Sequence, residues 1–176
     1  MRIREATVQD AGAIARVHVD SWRETYAGIV PDDYLANLCH EQRERVWRAS
    51  LSNHCVKECV YVAGSDPGGI IGFVSGGPGR KGESAYKGEL YAIYVLEAYQ
   101  RKGIGRQLTQ AIARRLDQDG LDSMLVWVLA DNRSKDFYSA LGGQLLYERE
   151  IDIGGLRLVE EAYGWPDIHE LATVQM

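Results

Sequence analysis

The chain is short of the features that most quickly settle what a protein is. It has three cysteines, Cys39, Cys55 and Cys59, too few and too clustered for a disulfide framework. The stretch HCVKEC at 54–59, with His40 and His54 nearby, matches no zinc spacing, so no metal is expected. There is no excess of positive charge: 20 Lys and Arg against 25 Asp and Glu leave a formal net charge of −5, which argues against a general nucleic-acid binder. No apolar run approaches the ~18 residues that a membrane span needs, and the opening MRIREATVQD lacks the apolar centre of a signal peptide. No membrane partner is expected, and a soluble cytoplasmic protein follows as the expectation. Repeats and domain linkers are also missing, so one domain is expected over 1–176, with a core of about 2–165 and a C-terminal tail from 166.

What is present is an ordinary globular composition, 45% apolar and 26% charged, in a chain of 176 residues that is long enough to bury a real core. Thr7 and Asp10 form a capping-box-like start, and Ile14, Val17 and Trp22 recur at helical spacing, which predicts a helix around 8–24. After the break GIVPDD, residues 33–51 read as a second amphipathic helical region. CVYVA and GIIGFVSG read as strands joined by the turn GSDPGG, and residues 76–88 as a glycine-rich charged loop. ELYAIYVL is dense in strand formers, and Ile104, Leu108, Ile112 and Leu116 then predict a helix over 104–118. SMLVWVLA is apolar almost throughout, as a strand buried on both faces should be. NRSKDFYSALGG predicts a short helix, and QLLYEREIDI, GG and LRLVEEAYGW a closing hairpin. The order is that of a mixed α/β domain.

The most informative segment is EAYQRKGIGRQL, which places Gly103 and Gly105 where a helix begins. The first N–H groups of a helix have no partner within it and lie at the positive end of its dipole. A phosphate can accept several of them where no Cβ blocks its approach, and Arg101 and Lys102 add positive charge. The segment therefore reads either as a pyrophosphate cradle or as a plain glycine-rich turn. It is not a Walker A loop, since Arg106 and Gln107 follow Gly105, nor a dinucleotide fingerprint, since Leu108 stands where a third glycine or alanine belongs.

Gln-Arg-Lys-Gly-Ile-Gly after a strand resembles the acyl-coenzyme A loop of the GNAT N-acetyltransferases, Gln/Arg-x-x-Gly-x-Gly/Ala. The downstream LVWVLADNRSKDFYSALGG carries Asn132, Phe137, Tyr138, Leu141 and Gly142 in the order which that superfamily uses. The resemblance covers roughly residues 2–165, most strongly 88–143. It implies a single-domain α/β fold with a mixed central sheet, a splayed strand pair and flanking helices. It also implies an acetyl-coenzyme A-dependent transferase acting on a primary amine of a small molecule or peptide by direct attack. A binding module that keeps the loop without catalysis is the alternative, and a homodimer is left open.

Site roles follow from the same resemblance. Gln100, Arg101, Lys102, Gly103, Ile104, Gly105 and Arg106 would take the pyrophosphate, and the backbone of Ile93, Tyr94 and Val95 the pantetheine. Asn132 would bond the coenzyme or cap the next helix, and Tyr138 would be the general acid or one apolar face of that helix. Glu89, eleven residues before Gln100, matches the glutamate base of the superfamily's histone acetyltransferases, and is otherwise a solvated residue at the start of a strand. Strand alternation would put Glu89, Tyr91, Ile93 and Val95 on one face. Where the protein N-terminal acetyltransferases place a glutamate five residues before the asparagine, this chain has Trp127. Trp22 and Tyr26, with Asp32 and Asp33, would shape the acceptor pocket or pack a helix onto the sheet.

Overall fold

The four-residue recurrence of Ile104, Leu108, Ile112 and Leu116 becomes one buried stripe on helix α4 (Ile104–Gln118), each of the four at most 3% exposed. That stripe covers one face of a seven-stranded sheet in the computed structural model, which describes residues 1–53, 57–65, 69–80 and 85–173. The strands are β1 (Arg2–Glu5), β2 (Cys59–Ser65), β3 (Gly69–Pro78), β4 (Gly88–Val95), β5 (Met124–Leu129), β6 (Gln144–Ile153) and β7 (Leu156–Trp165). Their order is β1-β2-β3-β4-β5-β7-β6, antiparallel except for the parallel pair β4 and β5 that α4 connects. Helices α1 (Ala11–Thr25) and α3 (His40–Ser52) cover the opposite face, where Ile14, Val17 and Trp47 meet Val60, Val62 and Phe73. Each such fully buried side chain contributes about 1.5–3 kcal/mol of transfer free energy, so these two apolar layers hold the fold without a cross-link.

The expected helix around 8–24 is a short 3-10 turn, Val8–Asp10, running into α1, with Asp10 accepting the Thr7 N–H at 2.8 Å. The second helical region divides into α2 (Asp32–Ala36) and α3, because Arg23 of α1 donates to the carbonyls of Leu35 and Leu38 and ends α2 there. The glycine-rich loop starts later than its composition suggests, since Gly76, Gly77 and Pro78 still pair with Leu90, Glu89 and Gly88. Residues 81–84 of that loop, 66–68 of the expected turn, and His54 and Cys55 lie outside the described residues. Helix α5 (Lys135–Ala140) and the hairpin β6–β7 fall where the sequence puts them. Within the tail, α6 (His169–Thr173) packs Leu171 and Ala172 into the α4 layer, and Arg114 donates to the Ala172 carbonyl at 2.8 Å. Cys39 and Cys59 are free thiols, donating to Glu41 and to the Gly76 carbonyl.

Two irregularities position everything described below. The β4–β5 pairing covers three residues only, Gly88–Met124, Glu89–Leu125 and Leu90–Val126, after which the strands part. Beside the parting, β4 carries an extra residue against β3, with Leu90 opposite Gly76 and Ala92 opposite Ser75, so that Tyr91 bulges. The bulge reverses the alternation: Leu90, Ile93 and Val95 pack with the α4 layer, while Ala92 and Tyr94 pack with the α1 layer. The expected common face of Glu89, Tyr91, Ile93 and Val95 is thus corrected. Glu89, opposite Leu125, keeps to the α1 side with Tyr94, and Ile93 and Val95 turn to the other.

The first turn rests on an ion pair. Arg4 grips Asp10 with two hydrogen bonds of 2.7 and 2.8 Å, and this, with the Thr7 contacts, holds the Asp10 carboxyl down to about 2 against an ordinary 3.8. A depressed carboxyl stabilises the fold above its unfolded pKa and loses that contribution as pH falls through the folded value. Asp10→Asn should cost about 1 kcal/mol at pH 7, discounted because Arg4 is exposed. In urea unfolding the gap between the two proteins should close between about pH 4 and pH 2.

Candidate active site

Where β4 and β5 separate, the sheet has a V-shaped opening with a helix-covered face on each side. On the α4 side stand Ile93, Val95, Val126 and Val128, with Tyr138 of α5 buried against them. On the α1 side stand Tyr94 and Leu129, with Trp22, Tyr26 and the hairpin residues Ile151, Ile153 and Leu158 packed over them. Beyond Leu90 the β5-facing backbone edge of β4 has no strand partner among the described residues, while its other edge stays paired to β3 through Val95. A strand edge of this kind offers N–H and C=O groups to an extended, amide-bearing ligand.

The loop at the open end has the geometry of an anion cradle. Gly103 is the residue before α4 and lies in the left-handed region at φ 78°, as does Arg101 at φ 61°, the one non-glycine of that kind among the described residues. Such a conformation costs a side-chain-bearing residue about 1–2 kcal/mol and concentrates at functional loops. The N–H groups of Lys102, Gly103, Ile104, Gly105 and Arg106 donate to no other described backbone group, and Gln107 makes the first helical bond, to Gly103. A Cβ on Gly103 would meet nothing within 4 Å, so the space on its side-chain side is open. Gln100 braces the loop by donating to the Val95 carbonyl at 2.9 Å, and Lys102 donates to the Ala98 carbonyl. Arg101 and Arg106 reach solvent, while Ile104 is buried in the core and contributes only backbone.

Gly105 differs from its neighbour. It is helical, and a Cβ there would come to 3.2 Å from Phe137 Cζ. The reading that both glycines clear a path for phosphate is therefore corrected. Gly103 shapes the loop, and Gly105 lets α5 close on α4 so that the adjacent Tyr138 is set in the opening.

Tyr138 is 6% exposed, and burial, followed by the neighbouring Tyr26, raises its phenol well above the ordinary value. Across the opening the hydroxyls of Tyr26 and Tyr94 lie 3.4 Å apart, and burial raises both. The amide of Asn132 faces Tyr26, and its Oδ1 accepts the Ser134 N–H at 2.8 Å at the head of α5. Asn132 thus closes the turn that leads into α5, while the residue before the helix, its N-cap, is Ser134. The buried indole N–H of Trp22 faces the Tyr94 phenol but makes no hydrogen bond of ordinary geometry among the described residues. Glu89, at the closed end, accepts three hydrogen bonds from Arg80: from its backbone N–H, Nε and Nη2.

Sequence reasoning passed over three groups near the site. His18 stacks on Tyr94 at 5.2 Å and accepts the Trp47 indole N–H, with its pKa pushed down to about 3 by burial and then by Arg43. The spacing His18, Trp22, Tyr26 is a helical stripe and was the available signal. Arg149 and Glu160 pair across the hairpin, a register which the two-residue turn at Gly154–Gly155 already fixes. Arg80 carried no signal, because its partner is set by the fold alone. Two shallow pockets of about 140 and 270 Å³ lie beside α6, the first against Arg106 and Gln110 of α4 and the end of α5, the second against Gln144 of β6 and Trp165 of β7. Asp32 and Asp33 are exposed on the first turn of α2.

A parallel strand pair that opens beside a glycine-shaped helix start is the arrangement which the resemblance to acyl-coenzyme A-binding acetyltransferases leads one to expect. The FR47-like protein family matches residues 80–151, which include the opening, the loop and α5. An uncharacterized N-acetyltransferase of Bacillus subtilis, YuaI, is 44% identical over 173 residues, 98% of this chain and 96% of that protein. The spermidine N(1)-acetyltransferase of Thermoplasma acidophilum is 22% identical over 134 residues, 75% of this chain and 80% of its own. Among solved structures, the PaiA N-acetyltransferase of Thermoplasma acidophilum in complex with coenzyme A superposes with a TM-score of 0.65 at 22% identity, covering 91% of this chain and 96% of that one. The chain belongs to the GNAT superfamily of N-acetyltransferases. No described helix is long and apolar enough to cross a membrane.

The division of labour between the glycines is testable by stability. Gly105→Val should overpack against Phe137 and cost about 2 kcal/mol, whereas Gly103→Ala should cost about 1 kcal/mol through its backbone angle alone. Adding Phe137→Ala should relieve part of the Gly105→Val cost and none of the Gly103→Ala cost, as read in a double-mutant cycle by urea unfolding.

Proposed function

We propose that this enzyme transfers the acetyl group of acetyl-coenzyme A to a primary amine of a small molecule or peptide, by direct attack in a ternary complex. The observation that carries the reading is the parting of β4 and β5 after Leu90 and Val126, with the Tyr138 phenol held protonated inside it. The free N–H groups of residues 102–106 would hold the pyrophosphate, with Arg101 and Arg106 supplying charge and Gln100 bracing the loop. The unpaired edge at Ile93, Tyr94 and Val95 would take the pantetheine amides, with Asn132 at the opposite strand end. The thioester then lies in the gap, and the amine reaches it from the α1 side, past Trp22 and Tyr26. A cation entering so apolar a space is disfavoured, so the amine loses its proton to solvent at the mouth.

Tyr138 fits the general acid. Its raised pKa keeps the proton in place at neutral pH, and the burial that weakens it as an acid makes a thiolate beside it a stronger base by the same desolvation. Glu89 fits the base role less well, because Arg80 occupies its oxygens with three hydrogen bonds. In our reading it anchors the closed end of the opening.

Tyr138→Phe keeps the ring and its packing while removing the proton. Coenzyme A affinity by calorimetry should be unchanged, and turnover on a productive amine should fall by about 10²–10⁴-fold with chemistry rate-limiting. Unchanged turnover would remove Tyr138 from the reaction.

A further inference from the structure

Two sites on the α1 side of the opening have the make-up that a second ammonium group would seek, a carboxylate beside an aromatic face, and the chain fills both with its own arginines. At the closed end, Arg80 binds Glu89 and lies over the Tyr91 ring at 4.4 Å. On the other arm, Trp127 is the first residue of β5 beyond its last pairing with β4. It shares the α1-facing side of β5 with Leu125 and Leu129, opposite to Val126 and Val128. Over its ring, 3.6 Å from the centroid, sits the Arg149 guanidinium, with Tyr147 edge-on to the same ring at 5.4 Å. Arg149 in turn is bound to Glu160 through Nε and Nη2, at 2.9 and 2.8 Å. Glu160 stands opposite Leu129 in the β5–β7 register, and Leu129 packs with Tyr26 and Trp22, which places the pair beside the opening rather than at the far end of the hairpin. The rest of the lining, Trp22, Tyr26, Tyr94 and Leu129, is apolar or neutral.

We propose that Arg149 determines acceptor specificity by occupying the Trp127–Glu160 cation site, so that the enzyme acts on monoamines with apolar or aromatic remainders and excludes polyamines. The inference rests on the acetyltransferase reading above. A polyamine needs a carboxylate or ring face for each further ammonium, and a cation–π site is of use to it only when empty. With Arg149 in place the second charge of the acceptor would meet a like charge and lose its water. A flat, uncharged tail finds the stacked aromatic wall instead.

The test compares phenethylamine, hexylamine, 4-aminobutyrate and spermidine as acceptors for the wild type, Arg149→Ala, and Arg149→Ala with Glu160→Gln. Calorimetry with acetyl-coenzyme A and with each amine accompanies the kinetics. In the wild type, kcat/KM for phenethylamine should exceed that for spermidine at least tenfold. Arg149→Ala should close that ratio by tenfold or more, chiefly through a lower KM for spermidine, and adding Glu160→Gln should restore it. A wild type that prefers spermidine or 4-aminobutyrate, or a ratio unmoved by Arg149→Ala, would overturn the proposal. So would acetyl-coenzyme A binding with neither turnover nor binding of the uncharged-tail amines. Failure to bind acetyl-coenzyme A at all would instead sink the transferase reading, and the amine calorimetry would still decide the specificity of the pocket.

Discussion

The short pairing of β4 with β5 is the constraint on which the rest of the molecule turns. A parallel strand pair ordinarily continues until one strand ends, because each further residue satisfies backbone groups that are otherwise costly to bury. Here it stops after Leu90 and Val126, although β4 runs on to Val95 and β5 to Leu129. The outer edges stay bonded, β4 to β3 and β5 to β7, so each arm is held from one side and the open edges face each other. The Tyr91 bulge adds local twist at the point of parting. What results is a sheet with a gap, kept open by the strands on either flank.

The gap explains why the site's polar groups come from opposite faces of the sheet. Tyr138 belongs to the α4 layer, and Tyr26 and Tyr94 to the α1 layer, yet each side raises the phenol pKa of the other across the opening. A ligand spanning the gap touches both layers. The loop before α4 lies at the open end with its donors free, and the closed end is sealed by Glu89 and Arg80. The opening can therefore be reached both from the loop end and from the α1 side.

The electrostatics of the mouth work by neutralisation. Glu89 and Glu160 each lie at the site with an arginine already attached, and the three tyrosines and His18 are all held in their neutral forms by burial. An apolar cleft with internally paired charges has little attraction for ions and keeps what lone pairs and N–H groups it has for hydrogen bonding. The buried indole N–H of Trp22 is one such group.

Local spacing was enough to determine the elements that carry their own signal. The stripe Ile104, Leu108, Ile112, Leu116 fixes α4 to the residue, and the two-residue turn between apolar runs fixes the β6–β7 hairpin. The glycines before α4, with Asn132 and Tyr138 in order behind it, made the family legible, because those requirements are met by residue type at close range. The tertiary structure decided what depends on partners distant in sequence. The face of Ile93 and Val95 was set by a bulge against β3, which no periodicity within β4 records. Gly105 looked like a second opening for phosphate until Phe137, thirty-two residues on, proved to be what it accommodates. Glu89 looked available until Arg80 was placed beside it, and the four-residue edge strand β1 is too short and polar to announce itself. Helix period and turn chemistry are properties of neighbours along the chain. A strand's register, a carboxylate's partner and the width of a gap are properties of neighbours in space.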